Sequence, residues 1–245
     1  MNIMFLMGGA GSNSNNKENY PLYLTEINNK TILEQQIEHI RKIQSQQLLF
    51  CAKYAEIRQF HTDAVIQQIE PTAKIIPIHA QTRGSICTAL LAVEHIDNYQ
   101  ELLLLAIDDF VEDDGGEIID KFRKASADAG VVSFTSVHPR YSFTKLNKSG
   151  APIEFAEKHP ISKDALVSFY YFKHGNEFVE CAKGVIRKNN AVNGNFYISQ
   201  TLNELLLKQK KIAIHKISND RFHSLKNEAQ LAAYIYEYKE KKSSK

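Results

Sequence analysis

The chain lacks an excess of either charge, has few cysteines and no long apolar run, and each shortage closes a class of function. Its 245 residues include 30 Lys and Arg against 28 Asp and Glu, a formal net charge of +2. That balance is not the electrostatic footprint of a nucleic-acid binder. The basic run from Lys239 to Lys245 reads as a solvated tail. Cys51, Cys87 and Cys181 are far apart and odd in number, with no CxxC pair, so neither a zinc site nor a disulfide framework is indicated. The apolar start, Met1 to Gly9, is too short for a signal peptide and lacks a basic segment. The longest later run, Leu102 to Ile107, falls far short of a membrane span. These absences predict a cytoplasmic protein without membrane or nucleic-acid partners.

Further absences narrow the chemistry. The nine histidines show no HExxH spacing, and His61, His95 and His223 stand singly, as structural residues do. There is no GxSxG nucleophile elbow, no internal repeat and no Pro-rich linker. With 43% hydrophobic and 24% charged residues the composition is that of a globular protein able to bury its own core.

What is present is alternation. Asn2–Met7, Gln47–Lys53, Ala73–Ile78 and Glu101–Ile107 read as buried strands, the last through its run of leucines. Helical patterns lie between them over 31–43, 54–70 and 85–95, and another follows over 115–127. Thr31 with Glu34 forms a capping box at the first. This order predicts an α/β fold with a mixed, mostly parallel sheet flanked by helices. The second half changes character. Strands are expected at 130–137, 142–147, 152–155 and 168–173, with a hairpin turning at Lys148-Ser149-Gly150, and a strand near 211–217. Helices are expected over 175–189, 196–209 and 226–241. The simplest organisation is a single domain over 1–245, a nucleotide-binding half to residue 129 and an acceptor-binding half after it. Aromatics in the second half permit a homodimer.

Ligands of such sheets sit beyond the carboxyl ends of the strands, here Met7–Gly11, His79–Gly84 and Ile107–Asp109. In Gly8-Gly9-Ala10-Gly11-Ser12 consecutive glycines let backbone N–H groups ring a phosphate, although a surface turn has the same composition. The spacing is neither a Walker A loop nor a dinucleotide fingerprint, since Ser14 stands where the third glycine would fall. Gln81-Thr82-Arg83-Gly84-Ser85 opens a helix and suits an anion or a base edge, or plain capping by Thr82 or Ser85. Asp108-Asp109 ends the leucine strand; two carboxylates there call for a cation such as Mg²⁺. An acidic loop continued by Glu112, Asp113 and Asp114 at a helix start is the alternative. Strand alternation would let only one of the pair face a metal. Glu157-Lys158 can serve sugar hydroxyls and a phosphate, or form a surface ion pair. His138-Pro139-Arg140 offers an exposed cation or a rigid turn. The aromatic run at 169–172 fits core packing.

Taken together these segments resemble the sugar-phosphate nucleotidyltransferases of the GT-A-like fold, in the branch associated with bacterial capsule and surface polysaccharide. The resemblance spans about 1–240. It rests on Met7-Gly8-Gly9 with Tyr20-Pro21 through Glu26-Ile27-Asn28, on Thr82 to Ala92, and on His138 to Phe143. Glu157-Lys158-His159-Pro160-Ile161-Ser162 with Tyr170-Tyr171-Phe172, and Asn193 to Tyr197 with Asn203-Glu204, complete it. It implies transfer from an NTP to a small phosphorylated acceptor with pyrophosphate release. Gly8, Gly9, Ala10 and Gly11 would wrap the triphosphate, and Gln81, Thr82 and Gly84 would meet the base. Asp108 and Glu204 would hold Mg²⁺. Glu157, Lys158, Arg140 and Asn203 would bind the acceptor, with Asp108 and Lys158 catalytic. Two positions depart from the family: Leu22 follows Pro21 where a phosphate-site lysine is usual, and Asn13 stands near the place of a loop arginine. Lys17, or Arg83 from the neighbouring loop, could substitute. A non-catalytic binding module and a glycosyltransferase are the competing functions on this fold.

Overall fold

The computed structural model describes residues 1–9, 20–43 and 47–243. In chain order the strands are β1 Asn2–Leu6, β2 Glu26–Ile27, β3 Lys30–Thr31, β4 Gln47–Lys53, β5 Lys74–Ile78, β6 Leu102–Ala106, β7 Asp109–Val111, β8 Ala129–Thr135, β9 Ser142–Leu146, β10 Pro152–Glu157, β11 Asp164–Phe172, β12 Ile212–Lys216 and β13 Phe222–Ser224. The helices are α1 Ile32–Ile40, α2 Tyr54–Phe60, α3 Thr62–Ile69, α4 Ser85–Leu90, α5 Val93–Ile96, α6 Gly115–Lys124, α7 Gly175–Arg187, α8 Ser199–Leu207 and α9 Glu228–Ser243.

A nine-stranded sheet runs β10-β9-β11-β6-β1-β4-β5, with β8 on β11 and β12 on β8. The pairs β1–β4, β1–β6, β4–β5 and β8–β12 are parallel, and β11 is antiparallel to β6, β8 and β9. Following those senses, β10 and β11 alone run against the other strands of the sheet. The architecture is therefore the expected mixed, mostly parallel sheet between helices. Leu102, Leu103, Leu104 and Leu105 are buried on both faces of β6, and the odd and even members enter different apolar clusters. A strand covered on both sides reads as a continuous apolar run for this reason.

The expected long helices are shorter and broken. The 54–70 pattern splits at His61, whose φ of 52° is left-handed, into α2 and α3. The 85–95 pattern splits after Leu90, where Leu91 and Ala92 donate to carbonyls only three residues back. Two small pairings were not expected: the β2–β3 hairpin, which turns on Asn28 and Asn29 with φ of 56° and 63°, and β7 with β13. A turn with both central residues left-handed is the kind that asparagine tolerates.

The capping box is present: Thr31 Oγ1 accepts from the Glu34 N–H at 3.1 Å, and the Glu34 carboxylate accepts from the Thr31 N–H at 2.5 Å. Thr31→Ala removes the first bond and is expected to lower unfolding free energy by about 1 kcal/mol, read from urea denaturation.

Candidate active site

A cavity of about 1010 Å³ opens at the carboxyl ends of β1, β4, β5 and β6. The parallel half contributes Gly8 and Gly9, Lys53 and Tyr54, His79 and Gln81, Thr82 and Gly84, and Asp108 and Asp109. The later half closes the opposite wall with Arg140, Ser142, Glu157, Lys158, Tyr197 and Lys226. Nine of the site residues that the resemblance implies thus share one hollow: Gly8, Gly9, Gln81, Thr82, Gly84, Asp108, Arg140, Glu157 and Lys158. Ala10, Gly11, Asn13 and Lys17 lie outside the described residues.

The glycines act by close approach. A Cβ on Gly8 would meet Ile78 Cδ1 at 2.9 Å, whereas one on Gly9 would meet nothing within 4 Å. Gly84 has φ of 95°, and a Cβ there would stand 2.4 Å from the Phe196 carbonyl oxygen. That contact is a seam: the Phe196 N–H donates to Arg83 O at 2.8 Å, and the Ile86 N–H donates to Phe196 O at 3.1 Å. The 81–85 loop is therefore clamped to the opposite wall at Phe196. Side-chain capping is not its business. Gly84 is the N-cap without a side-chain bond, Thr82 Oγ1 bonds Thr88 Oγ1 at 2.6 Å, and Ser85 Oγ accepts from the Ile198 N–H. Arg83 turns outward, with Nε on Gly194 O at 3.2 Å and its guanidinium over the Phe196 ring. It does not line the cavity.

Glu157 and Lys158 are held side chains. Glu157 Oε2 accepts from Ser142 Oγ and, at 2.7 Å, from Ser199 Oγ. Burial pushes its carboxyl above the usual range, opposed by those two hydroxyls and by the charges of Lys158 and Lys226. Lys158 has a left-handed φ of 55°, and its ammonium donates to Tyr197 Oη at 2.6 Å. Arg140 lies over the Tyr141 ring at 4.6 Å and donates to its hydroxyl.

At the end of β6 the chain turns at Ile107–Asp108 before β7 begins. Both residues line the cavity. The Asp109 side chain is only 2% exposed. Its Oδ2 accepts from the Ser168 N–H at 3.2 Å, in the stretch where β11 shifts register against β8. Its buried Oδ1 has Lys226 Nζ at 3.1 Å, an ion pair. Burial drives the Asp108 carboxyl upward, Lys226 opposes that, and Asp109 adds to it. Burial alone would lower Lys226, but the charges of Asp109 and Asp108 prevail and hold its ammonium protonated above the ordinary lysine range.

Two expected site residues are elsewhere. Glu204 on α8 bonds Lys188 Nζ through both oxygens at 2.7 Å and packs on Gly184 of α7. It is a helix-to-helix tie and does not border the cavity with Asp108. Asn203 spends its amide on β10, accepting from the Phe155 N–H at 2.9 Å and donating to Phe155 O at 2.8 Å. It does not border the cavity. The acidic residues after Asp109 are structural as well: Glu112 bonds His223, Asp113 bonds Arg221 and His215, and Asp114 caps α6. Leu22 is buried in a small cluster with Leu225, Leu231 and Tyr234 instead of reaching the cavity.

The donors at Asp108 do not fit a Mg²⁺ seated ahead of any nucleotide. Such an ion wants near-octahedral oxygen, usually one or two carboxylates plus substrate phosphates and waters. Here Lys226 Nζ already stands 3.1 Å from Asp109 Oδ1, and its charge also acts on Asp108. Among the described residues no group of three or more His, Cys, Asp or Glu is placed to hold a metal.

Sequence reading missed Tyr54, Tyr197 as a lysine anchor, and Lys226, and placed His79 only at the start of a strand-end loop. The Tyr54 and His79 rings stand 4.6 Å apart at the ends of β4 and β5 and border the cavity near Gln81. No local pattern marks them, because each is a single residue following an ordinary strand. No described helix is long and apolar enough to cross a membrane.

No protein-family model matches the sequence, and no curated protein matches it. Solved structures do. A nucleoside-diphosphate-sugar pyrophosphorylase from Vibrio cholerae RC9 superposes with a TM-score of 0.78 at 21% identity, over 96% of this chain and 99% of that one. A UDP-glucose pyrophosphorylase complexed with UDP-glucose gives 0.75 at 12%, over 98% of each. At these identities the likeness is one of fold.

Because Glu157 is raised by burial, its contribution to stability is full below the unfolded glutamate value and is lost as pH climbs through the folded one. Glu157→Gln keeps an acceptor for both serines and removes that loss. Its urea midpoint, relative to wild type, is expected to be more favourable at about pH 7 than at about pH 4; an unchanged difference across that range refutes the burial account.

Proposed function

We propose that this chain transfers a nucleotidyl group from a nucleoside triphosphate to a phosphorylated sugar or similar small phosphate acceptor, releasing pyrophosphate. The observation that carries the reading is the cavity itself. Its volume of about 1010 Å³ is at the upper end for small-molecule sites and leaves room for two substrates, with glycine backbone on one wall and a fixed Glu–Lys pair on the other. Fold neighbours named as pyrophosphorylases, one of them solved with UDP-glucose, support the reaction class. We place the reaction in the supply of precursors for surface polysaccharide, following the family branch that the motifs resemble.

In the proposed reaction an oxygen of the acceptor phosphate attacks the α-phosphorus. The new P–O bond forms as the bond to the oxygen bridging α and β phosphates breaks, and the electron pair leaves with pyrophosphate. A phosphate oxygen is already anionic, so no proton has to be removed. Positioning and charge stabilisation do most of the work in such transfers. Gly8 and Gly9 let the main chain approach the triphosphate, while Gln81, Thr82 and Gly84 meet the base beside the Tyr54–His79 rings. Lys158, steered by Tyr197, and Arg140, steered by Tyr141, face the acceptor phosphate. Glu157, fixed by two serines, accepts from acceptor hydroxyls. Asp108 and Asp109 hold Lys226 against the phosphoryl group in transit.

A binding module without turnover is the second reading, favoured by the burial of Leu22 where the family usually keeps a phosphate-site cation. Four NTPs screened against a panel of phosphorylated sugars, alditols and small polar phosphates, read by pyrophosphate release, separate the two when paired with calorimetry. Tight NTP binding with no release on any acceptor replaces the transferase by the module. In the active pairing, Asp108→Asn is expected to lower release by about a hundredfold or more with an unchanged melting temperature. Wild-type release from that variant refutes the site assignment.

A further inference from the structure

We propose that the ammonium of Lys226 occupies the place at the Asp108–Asp109 pair that a divalent cation would otherwise take, so that the protein meets its nucleotide with a cation built into the chain. The inference rests on the nucleotidyl reading only for what the ammonium faces.

Lys226 is a built position. The strand before it, β13, pairs with β7 so that Ser224 lies opposite Asp109. The Leu225 N–H donates to the Asp108 carbonyl oxygen at 2.7 Å, and the Leu225 side chain is buried under α9. On the other side, the Lys226 N–H donates to Gln230 Oε1 at 3.0 Å, and the Gln230 N–H donates to Asn227 Oδ1, which caps the helix start. The backbone of 224–227 is thus tied to the backbone of 108–109 and to the first turn of α9. From that anchor the side chain reaches the cavity and sets Nζ 3.1 Å from a carboxylate that is otherwise buried.

The chemistry of the pair follows. Two adjacent carboxylates at the end of an apolar strand require positive charge. With the ammonium seated, a second cation entering between them would meet it at contact range in a partly desolvated site, where like charges repel strongly. With Lys226 removed, the same two carboxylates become ordinary oxygen donors for a hard divalent ion.

Mn²⁺, a spectroscopic stand-in for Mg²⁺, tests this without nucleotide. Titrated into the protein and followed by electron paramagnetic resonance, Mn²⁺ is expected to show no saturable site on wild type or on Lys226→Arg below the order of 1 mM. Lys226→Gln is expected to gain one Mn²⁺ at least about tenfold more tightly, and adding Asp109→Asn is expected to abolish the gain. Saturable Mn²⁺ on wild type below that level overturns the proposal. So does a Lys226→Gln protein that melts cooperatively yet gains nothing. If Lys226→Gln does not fold, wild type and Lys226→Arg decide: a site on either refutes, and its absence on both supports. Since no nucleotide is present, failure here leaves the transferase assay standing, and failure of that assay leaves this result standing.

Discussion

A strand of four buried leucines that ends in two neighbouring carboxylates sets the central constraint of this molecule. The leucines draw β6 into the middle of the sheet, and the tip of that strand carries its acids with it, away from bulk water. An uncompensated buried carboxylate would be expelled or protonated. The structure meets the demand with a lysine more than a hundred residues later, delivered by a two-strand clasp and locked by the last helix. Loss of one partner from a buried ion pair commonly costs about 3–5 kcal/mol; with a side chain 41% exposed to the cavity, Lys226 belongs at or below the low end of that range. The pairing of β7 with β13, a minor feature by size, is therefore what fixes the charge at the centre of the cleft.

The two walls of the cavity use different means of precision. On the parallel side, backbone does the positioning: Gly84 against the Phe196 main chain leaves no room for a Cβ, and at Gly8 one would have to displace the tip of Ile78. On the other side the polar side chains are long, and each is restrained by a neighbour: Glu157 by two serine hydroxyls, Lys158 by Tyr197, Arg140 by Tyr141. A side chain immobilised before the ligand arrives loses less entropy when it binds. Under the proposed reaction this matters most for Lys158, since a lysine is otherwise among the costliest residues to order.

Much of this was legible in the sequence, and the parts that were not share a cause. The span Gln47–Lys53 of β4, the Thr31–Glu34 capping box and the hairpin turning at Lys148–Gly150 depend on local signals, and the structure has all three. The loops at strand ends converge because parallel topology obliges them to. Helix ends were overrun where tertiary packing outweighed periodicity, as at His61, next to the fully buried Thr62. Asn203 and Glu204 show the limit of motif reading. Both lie on α8, and a familiar pair of residues does not say which face of the helix they occupy; one stitches β10, the other ties α7. Lys226 was illegible for the converse reason. It has no motif, and its role exists only after β13 has paired with β7.

The position of Leu22 gives the same lesson a chemical edge. A phosphate site needs positive charge at a place in space, not at a place in the chain. When the segment after Pro21 carries leucine, that side chain joins Ile27, Ile32, Leu225, Leu231 and Tyr234 in an apolar cluster beneath α9. The cluster in turn seats Leu225, and Leu225 seats Lys226. Leu22 thus helps to seat Lys226, a cation arriving from the other end of the sequence. Leu22 and Lys226 are physically coupled: a lysine at position 22 would have to leave the cluster to reach the cavity, and in leaving it would loosen the anchor that holds Lys226 beside Asp109.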